Sequence, residues 1–166
     1  MFNKNLTLLF LSSALAFCGD PGQLRVRLVV PDQASYSGVR QVSERATFFD
    51  HERFRVTVQP NQSGYVYVFT RNDEGEVKLL YPLRGDGDGY VSRNQRVNLP
   101  GDGWLRFDST AEQEELILIE SADPLVDLEH AGRHGQPIDS ELFAGFERHP
   151  DRDMRVRHLF LEHENR

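Results

Sequence analysis

Two histidines are the side chains whose spacing comes closest to a metal site. His130 and His134 are four residues apart, the spacing that places two imidazoles on one helix face in zinc sites, and Glu129 lies beside them. Gly132 and Gly135 weaken the helix that this geometry requires, and no third ligand follows in register. We therefore interpret the pair as loop histidines and predict neither a metal nor a cofactor.

A glycine-rich segment, RGDGDG at residues 84–89, offers hard oxygen ligands. Asp86 and Asp88 present alternate carboxylates, as calcium loops do at their start. The series then stops, because no third Asp or Asn follows in register and no Glu occupies the distal position. The segment predicts an exposed turn.

Trp104 and Arg106 are the candidates for a binding surface. If the strand from Trp104 to Asp108 buries Leu105 and Phe107, the alternation of side chains places Trp104 and Arg106 on the opposite face. An outward indole beside a guanidinium could bind a sugar or a protein. The alternative, which we prefer, is that Trp104 packs under a helix or a loop, since large aromatic residues are mostly buried.

Catalytic motifs do not stand out in the sequence. It shows no Ser/His/Asp arrangement, no glycine-rich loop for phosphate and no obvious carboxylate pair. We therefore assign no catalytic residues and predict a protein that is not an enzyme.

The first residues predict export. Lys4 precedes an apolar run from Leu6 to Leu11, and Ala14-Leu15-Ala16 forms an A-x-A cleavage pattern, the order found in secretory signal peptides. The run is too short to span a bilayer. We expect residues 1–16 to be a signal peptide and residues 17–23 a short leader.

Cys18, the single cysteine of the chain, follows this cleavage pattern. Leu15-Ala16-Phe17-Cys18 also resembles a bacterial lipobox, in which the cysteine becomes the lipidated first residue. Phe17 occupies a position that normally takes a small residue, so cleavage after Ala16 is preferred and lipid attachment at Cys18 is the alternative. In both cases Cys18 lies outside the folded domain, and the chain cannot form an internal disulfide.

Length and composition indicate that residues 24–166 form one folded domain, and net charge limits its partners. The chain has 166 residues, of which 39% are hydrophobic, so residues 24–166 can fold as a single domain around a real core. The formal net charge is -7, which disfavours nucleic acid and anionic lipid as partners.

The elements that would position these side chains are mainly strands. Period-two alternation, β-branched residues and Gly/Pro turns predict about eight strands of an antiparallel β-sandwich, with residues 33–45 as a loop or ragged edge strand. Tyr65 to Tyr81 should form a hairpin across the turn at residues 72–75. The predicted strands are Leu24–Val30, Phe54–Val58, Tyr65–Thr70, Val77–Tyr81, Gln95–Leu99, Trp104–Asp108, Glu115–Glu120 and Val156–Glu162.

Helical spacing occurs in the C-terminal third. Pro124 to His130 and Ser140 to Arg148 predict one or two short helices, with Asp139 or Ser140 as the cap of the second. Two strands are apolar on both faces, Tyr65 to Phe69 and Leu116 to Ile119. We expect a second sheet to cover one face and the helical region to cover the other.

The central segment carries a linked set of motifs. A Gly-Tyr-x-Tyr strand begins at Gly64, a Leu-Leu-Tyr-Pro strand occupies residues 79–82, and a Leu-Pro pair lies at residues 99–100. From about Phe54 to Leu125 this pattern resembles the bacterial domain of unknown function 4384 family. The resemblance implies an exported, β-rich accessory domain with no assigned catalytic residues. The residues expected in its structural core are Tyr65, Tyr67, Phe69, Leu79, Leu80, Tyr81, Pro82, Leu99, Pro100 and Phe107.

Together these observations predict a non-enzymatic module of the periplasm or cell envelope that acts in protein binding or assembly. The expected partner is another envelope protein, and the only expected membrane contact is a lipid on Cys18. A carbohydrate-binding or adhesive domain that uses Trp104 is the first alternative. A hydrolase with dispersed catalytic residues is the second.

Overall fold

The computed structural model describes most of the chain downstream of residue 23. The predicted signal peptide, Cys18, Asp86 and Phe107 lie outside the described residues. The described ranges are 24–34, 36–43, 47–49, 52–83, 87–106, 113–134, 138–148 and 153–164.

Eleven strands and two helices occur within the described ranges. Neither helix is long and apolar enough to cross a membrane. The strands are β1 (Arg25–Pro31), β2 (Val39–Val42), β3 (Thr47–Phe49), β4 (Arg53–Gln59), β5 (Gly64–Arg71), β6 (Val77–Tyr81), β7 (Tyr90–Val91), β8 (Val97–Leu99), β9 (Leu105–Arg106), β10 (Gln113–Ser121) and β11 (Met154–Glu164); the helices are α1 (Val126–Arg133) and α2 (Ser140–Arg148).

The strands form two sheets, which confirms the predicted β-sandwich. The first sheet has the order β2-β1-β4-β8, and β9 also pairs with β4. The second sheet has the order β3-β11-β10-β5-β6, and β7 also pairs with β5. All of these pairings are antiparallel except that of β3 with β11.

The main core fills the space between the two sheets. Phe54, Val56 and Val58 of β4 alternate with outward residues and are at most 1% exposed. They belong to one hydrophobic cluster with Val68 of β5 and Leu118 of β10. The period-two pattern of the strands therefore decides which side chains enter the sandwich.

A second core lies between the second sheet and the helices. Tyr67 and Phe69 on β5 point away from the first sheet, as do Ile117 and Ile119 on β10, and they pack with residues of both helices. The ring of Phe69 meets that of Phe143 in α2 at a centroid distance of 4.9 Å. This arrangement confirms the expected cover on both faces of the two apolar strands.

Helix α1 corrects one prediction. It includes both His130 and Gly132, so the interpretation of His130 as a loop residue and of Gly132 as a helix breaker was wrong. A Cβ atom on Gly132 would lie 2.4 Å from Cδ2 of Leu79. The glycine therefore lets α1 approach β6 closely, and this packing outweighs its low helix propensity.

The predicted hairpin is formed by β5 and β6, which pair from Val68 and Tyr81 to Arg71 and Val77 with a register shift after Val68. Most residues that carry the family resemblance are buried or half-buried, and the peptide bonds before Pro82 and Pro100 are cis. The buried ones are Tyr67, Phe69, Leu79, Tyr81, Pro82 and Leu99, and the half-buried ones are Tyr65, Leu80 and Pro100.

Candidate functional site

The outer face of the first sheet is the candidate binding surface. Both helices pack on the second sheet, and no described element lies over the outer side of the first. Because Leu28, Phe54 and Val56 point into the core, the residues that alternate with them point outward. We call this surface the arginine face, and it consists of Arg25, Arg27, Arg53, Arg55, Trp104 and Arg106.

The strands of the first sheet segregate charge. Their sequences are RVRLVVP, VRQV, RFRVTVQ, VNL and LR, which contain six arginines and no Asp or Glu. The whole chain, in contrast, has a formal net charge of -7. The arginine face is therefore a cationic surface on an acidic protein.

Strand register determines where the arginines lie on this face. Arg25 lies opposite Gln59 and Arg27 opposite Thr57 in the pairing of β1 with β4. Arg53 of β4 lies directly opposite Arg106 of β9. Like charges at directly opposite positions destabilise a sheet. An anion bound between these two arginines would reduce their repulsion.

Arg55 and Trp104 form a fixed platform on the face. The guanidinium carbon of Arg55 lies 4.3 Å from the centroid of the Trp104 ring, a cation–π contact. The same guanidinium donates hydrogen bonds to the carbonyl oxygens of Asp102 and Gly103. Trp104 is half-buried and packs against Arg55. It does not pack under a helix, because both helices lie on the second sheet.

The neutral polar side chains on this face already have partners. The Thr57 hydroxyl is 2.9 Å from Oδ1 of Asn98, and the Gln59 amide donates to the carbonyl oxygen of Asn94 at 2.7 Å. Arg25 donates to Asn94 Oδ1 at 3.2 Å. No other described residue forms a hydrogen bond or ion pair with the side chains of Arg27, Arg53 and Arg106. Within the described part of the chain, their donors are therefore available to a ligand.

A cleft of about 420 Å³ opens beside Arg106, between the ends of the two sheets. Phe54, Leu80 and Leu105 form an apolar part of its lining. Charged side chains surround them, among them Arg71, Asp73, Glu74, Glu76, Lys78 and Glu114. Arg106 thus borders both the cleft and the open face.

A second charged cluster lies under α2 and connects it to the sheet. Arg71 contacts Glu115 at 2.6 Å and Glu147 of α2 at 3.0 Å, and Nδ1 of His158 is 2.6 Å from Glu115 Oε1. Partial burial disfavours the Arg71 charge, but hydrogen bonds to Glu147 and Glu115 outweigh it and raise the pKa of Arg71. Phe143 of α2 adds an apolar contact with β5, so the cluster serves to dock the helix.

The side chains considered for metal binding do not converge. The rings of His130 and His134 are 4.5 Å apart and both residues are exposed. Asp88 Oδ1 accepts a hydrogen bond from the backbone N–H of Tyr90 at 3.0 Å, as in an ordinary turn. Among the described residues, no three His, Cys, Asp or Glu side chains are grouped to hold a metal ion.

Sequence reasoning found Trp104 and Arg106 but missed the other members of the face. Arg25 and Arg27 alternate on β1, and Arg53 and Arg55 alternate on β4, in strands without carboxylates. Counting charge strand by strand would have shown this signal. That the strands are neighbours in one sheet, with no described element over it, required the structure.

The fold and the site define an antiparallel β-sandwich domain with one face covered by helices and one open face that carries arginines. The family model described as "Domain of unknown function (DUF4384)" matches residues 47–124, which extend from β3 to the segment after β10. This part of the chain belongs to the DUF4384 family, which confirms the resemblance. No curated protein and no solved structure matches the chain.

Proposed function

We propose that the protein is a non-enzymatic module of the cell envelope that acts in protein binding or assembly through the arginine face. The observation that carries the proposal is the asymmetry of the sandwich. The second sheet is covered by helices, whereas the first presents exposed Arg25, Arg27, Arg53 and Arg106 on strands without carboxylates. Such an open, one-signed surface on a rigid scaffold suits association with a charged partner.

The contact of Arg55 with Trp104 favours a protein over a sugar as the partner. A sugar-binding tryptophan offers its ring face for stacking. Here the Arg55 guanidinium lies over the Trp104 ring, 4.3 Å from its centroid, and Trp104 is half-buried. The free donors of the neighbouring arginines suit acidic groups better than sugar hydroxyls.

Site-specific photo-crosslinking in the native cell tests the binding function. Gln41 lies at the edge of the arginine face, opposite Val29, and Glu141 is an exposed residue of α2. A photoreactive side chain at Gln41 should give a discrete crosslink to another protein, and the same group at Glu141 should not. Equal products from both positions, or none from either, would rule out binding through this face.

Export follows from the signal peptide predicted at residues 1–16 and from Cys18. Fractionation should place the protein in the envelope, and mass spectrometry should show a mature N-terminus at Phe17 or an acylated Cys18. The first product identifies a free periplasmic protein and the second a lipoprotein. A cytosolic protein that retains Met1 would contradict the proposal.

A further inference from the structure

We infer that the arginine face binds a carboxylate-rich, extended segment of a partner protein, an inference that rests on the binding function proposed above. The face offers guanidinium groups as hydrogen-bond donors, and guanidinium has no acceptor. The neutral side chains Thr57 and Gln59 already bond to neighbours. The complementary ligand therefore carries acceptors and negative charge, which carboxylates provide in a geometry that fits the guanidinium fork.

The spacing of the arginines matches an extended polypeptide. Arg25 and Arg27 are two residues apart on β1, and Arg53 and Arg55 are two residues apart on β4. Side chains on one face of a strand repeat about every 6.7 Å. An extended acidic segment repeats its outward carboxylates at the same distance, so consecutive carboxylates can meet consecutive arginines.

The opposed pair of Arg53 and Arg106 gives such a ligand a defined anchor. The two residues are direct cross-strand partners, and neither side chain has an ion pair or hydrogen bond with another described residue. One carboxylate between them would add two attractive interactions and offset the unfavourable placement of two like charges at opposite positions. The cleft beside Arg106 has an apolar part at Phe54, Leu80 and Leu105, which a neighbouring apolar side chain of the segment could enter.

The border of the face favours a narrow ligand over an anionic membrane or a long nucleic acid. Asp32 follows β1, Glu52 precedes β4 and Asp102 lies between β8 and β9. Of the 19 Lys and Arg residues of the chain, five belong to the face, so the other 14 stand against 26 Asp and Glu and leave a net charge of -12. A broad polyanion would meet this surrounding charge, whereas a single segment along the strands would not.

The single tryptophan makes the face directly observable. The chain contains one Trp, which is Trp104, so its fluorescence reports binding at this surface. The mature protein would be titrated with poly-L-glutamate, with an oligothymidylate of equal charge and with phosphatidylglycerol vesicles, and calorimetry would provide a second readout. We expect saturable binding of poly-L-glutamate that weakens as salt is added, and weaker binding of the other two.

Charge-matched variants show whether the binding belongs to the face. Arg27→Glu with Arg53→Glu should weaken poly-L-glutamate binding about tenfold, the effect of losing two partly exposed ion pairs. Arg133→Glu with Arg148→Glu changes the net charge equally, but Arg133 is on α1 and Arg148 on α2, and both helices pack on the second sheet. This control pair should bind as the wild type does. Circular dichroism and melting temperature would verify that both variants fold.

Three results would overturn the inference. They are equal weakening in both double variants, tighter binding of the oligothymidylate or the vesicles, and no binding of poly-L-glutamate by either readout. The crosslinking experiment at Gln41 separates this inference from the proposed function. A protein crosslink without poly-L-glutamate binding would refute the acidic segment alone, whereas the absence of a crosslink would refute the binding function.

Discussion

Tyr67 shows how much a single side chain contributes to this fold. Its ring is fully buried between β5 and the helices. Its hydroxyl accepts a hydrogen bond from the Leu125 N–H at 2.9 Å and donates one to Glu129 at 2.7 Å. Burial and the bond to Glu129 raise the pKa of Tyr67 far above its usual value, so the phenol stays protonated. Because no side chain of α1 caps its start, this hydroxyl takes over part of that role.

Substitution of Tyr67 by Phe should destabilise the protein while leaving the shape of the core intact. The variant removes the two hydrogen bonds that the Tyr67 hydroxyl makes with the Leu125 N–H and the Glu129 carboxylate, which costs about 1–3 kcal/mol. Urea denaturation measures the loss, and hydrogen exchange should show faster opening at the start of α1. Tyr65→Phe is the control, since the Tyr65 hydroxyl has no hydrogen bond to another described residue. Equal losses in both variants would contradict the capping role.

Glu120 is a buried carboxylate at the edge of the inter-sheet core. Neither of its oxygens has a hydrogen-bond partner among the described residues, and Arg155 is 3.8 Å away. Burial raises the pKa of Glu120 above the ordinary carboxyl value of 4.5, an effect that Arg155 partly offsets. The folded state therefore retains this proton to higher pH than the unfolded state does. As pH rises from the ordinary value through the raised one, this group lowers the free energy of unfolding.

Glu120→Gln tests this pH dependence because glutamine cannot ionise. The variant should be more stable than the wild type at neutral pH, and the difference should decline as acid protonates Glu120 in the wild type. Urea denaturation between about pH 4 and pH 7 gives the two stability profiles. Glu162→Gln, an exposed position on β11, should follow the wild-type profile. A constant difference across the pH range would contradict the assigned cause.

At the level of elements, strong periodicity made most of the fold predictable. The alternation of Phe54, Val56 and Val58 located β4, and the turn after Arg71 located the hairpin of β5 and β6. Two short strands, β3 and β7, were missed because two or three residues carry no detectable period. The contact of Trp104 with Arg55 could not be predicted, because Arg55 lies on another strand.

One glycine in each helix allows the effect of tertiary packing on stability to be compared with the effect of helix propensity. Gly132 in α1 faces the Leu79 side chain, whereas a Cβ on Gly145 in α2 would meet nothing within 4 Å. Gly132→Ala should therefore cost about 1–3 kcal/mol through overpacking. Gly145→Ala should stabilise by about 0.5–1 kcal/mol through helix propensity. Thermal denaturation of the two variants should give shifts of opposite sign, and a gain at both positions would contradict the close packing of α1 on β6.

At the level of the whole molecule, the net charge does not show how charged residues are distributed over the surface. The net charge of -7 argues against anionic partners for the protein as a whole. The pairing of β1 with β4 and of β4 with β9 nevertheless brings Arg27, Arg53 and Arg106 onto one surface without strand carboxylates. The sequence contains these residues but does not show which strands lie side by side in the sheet. The face could therefore be located only from the fold.

This distribution predicts an unusual response of stability to salt. Because Arg53 and Arg106 are directly opposite, Arg53→Gln should stabilise the protein by about 0.5 kcal/mol at low ionic strength. The gain should fall as salt shortens the screening length from about 30 Å at 0.01 M to about 3 Å at 1 M. Urea denaturation across this salt range measures both effects. Arg148→Gln removes a favourable cation from the last turn of α2 and should give no gain. A gain from Arg53→Gln that salt leaves unchanged would show that the two guanidinium groups do not repel each other. The arginine face would then lack the uncompensated charge that makes it a binding surface.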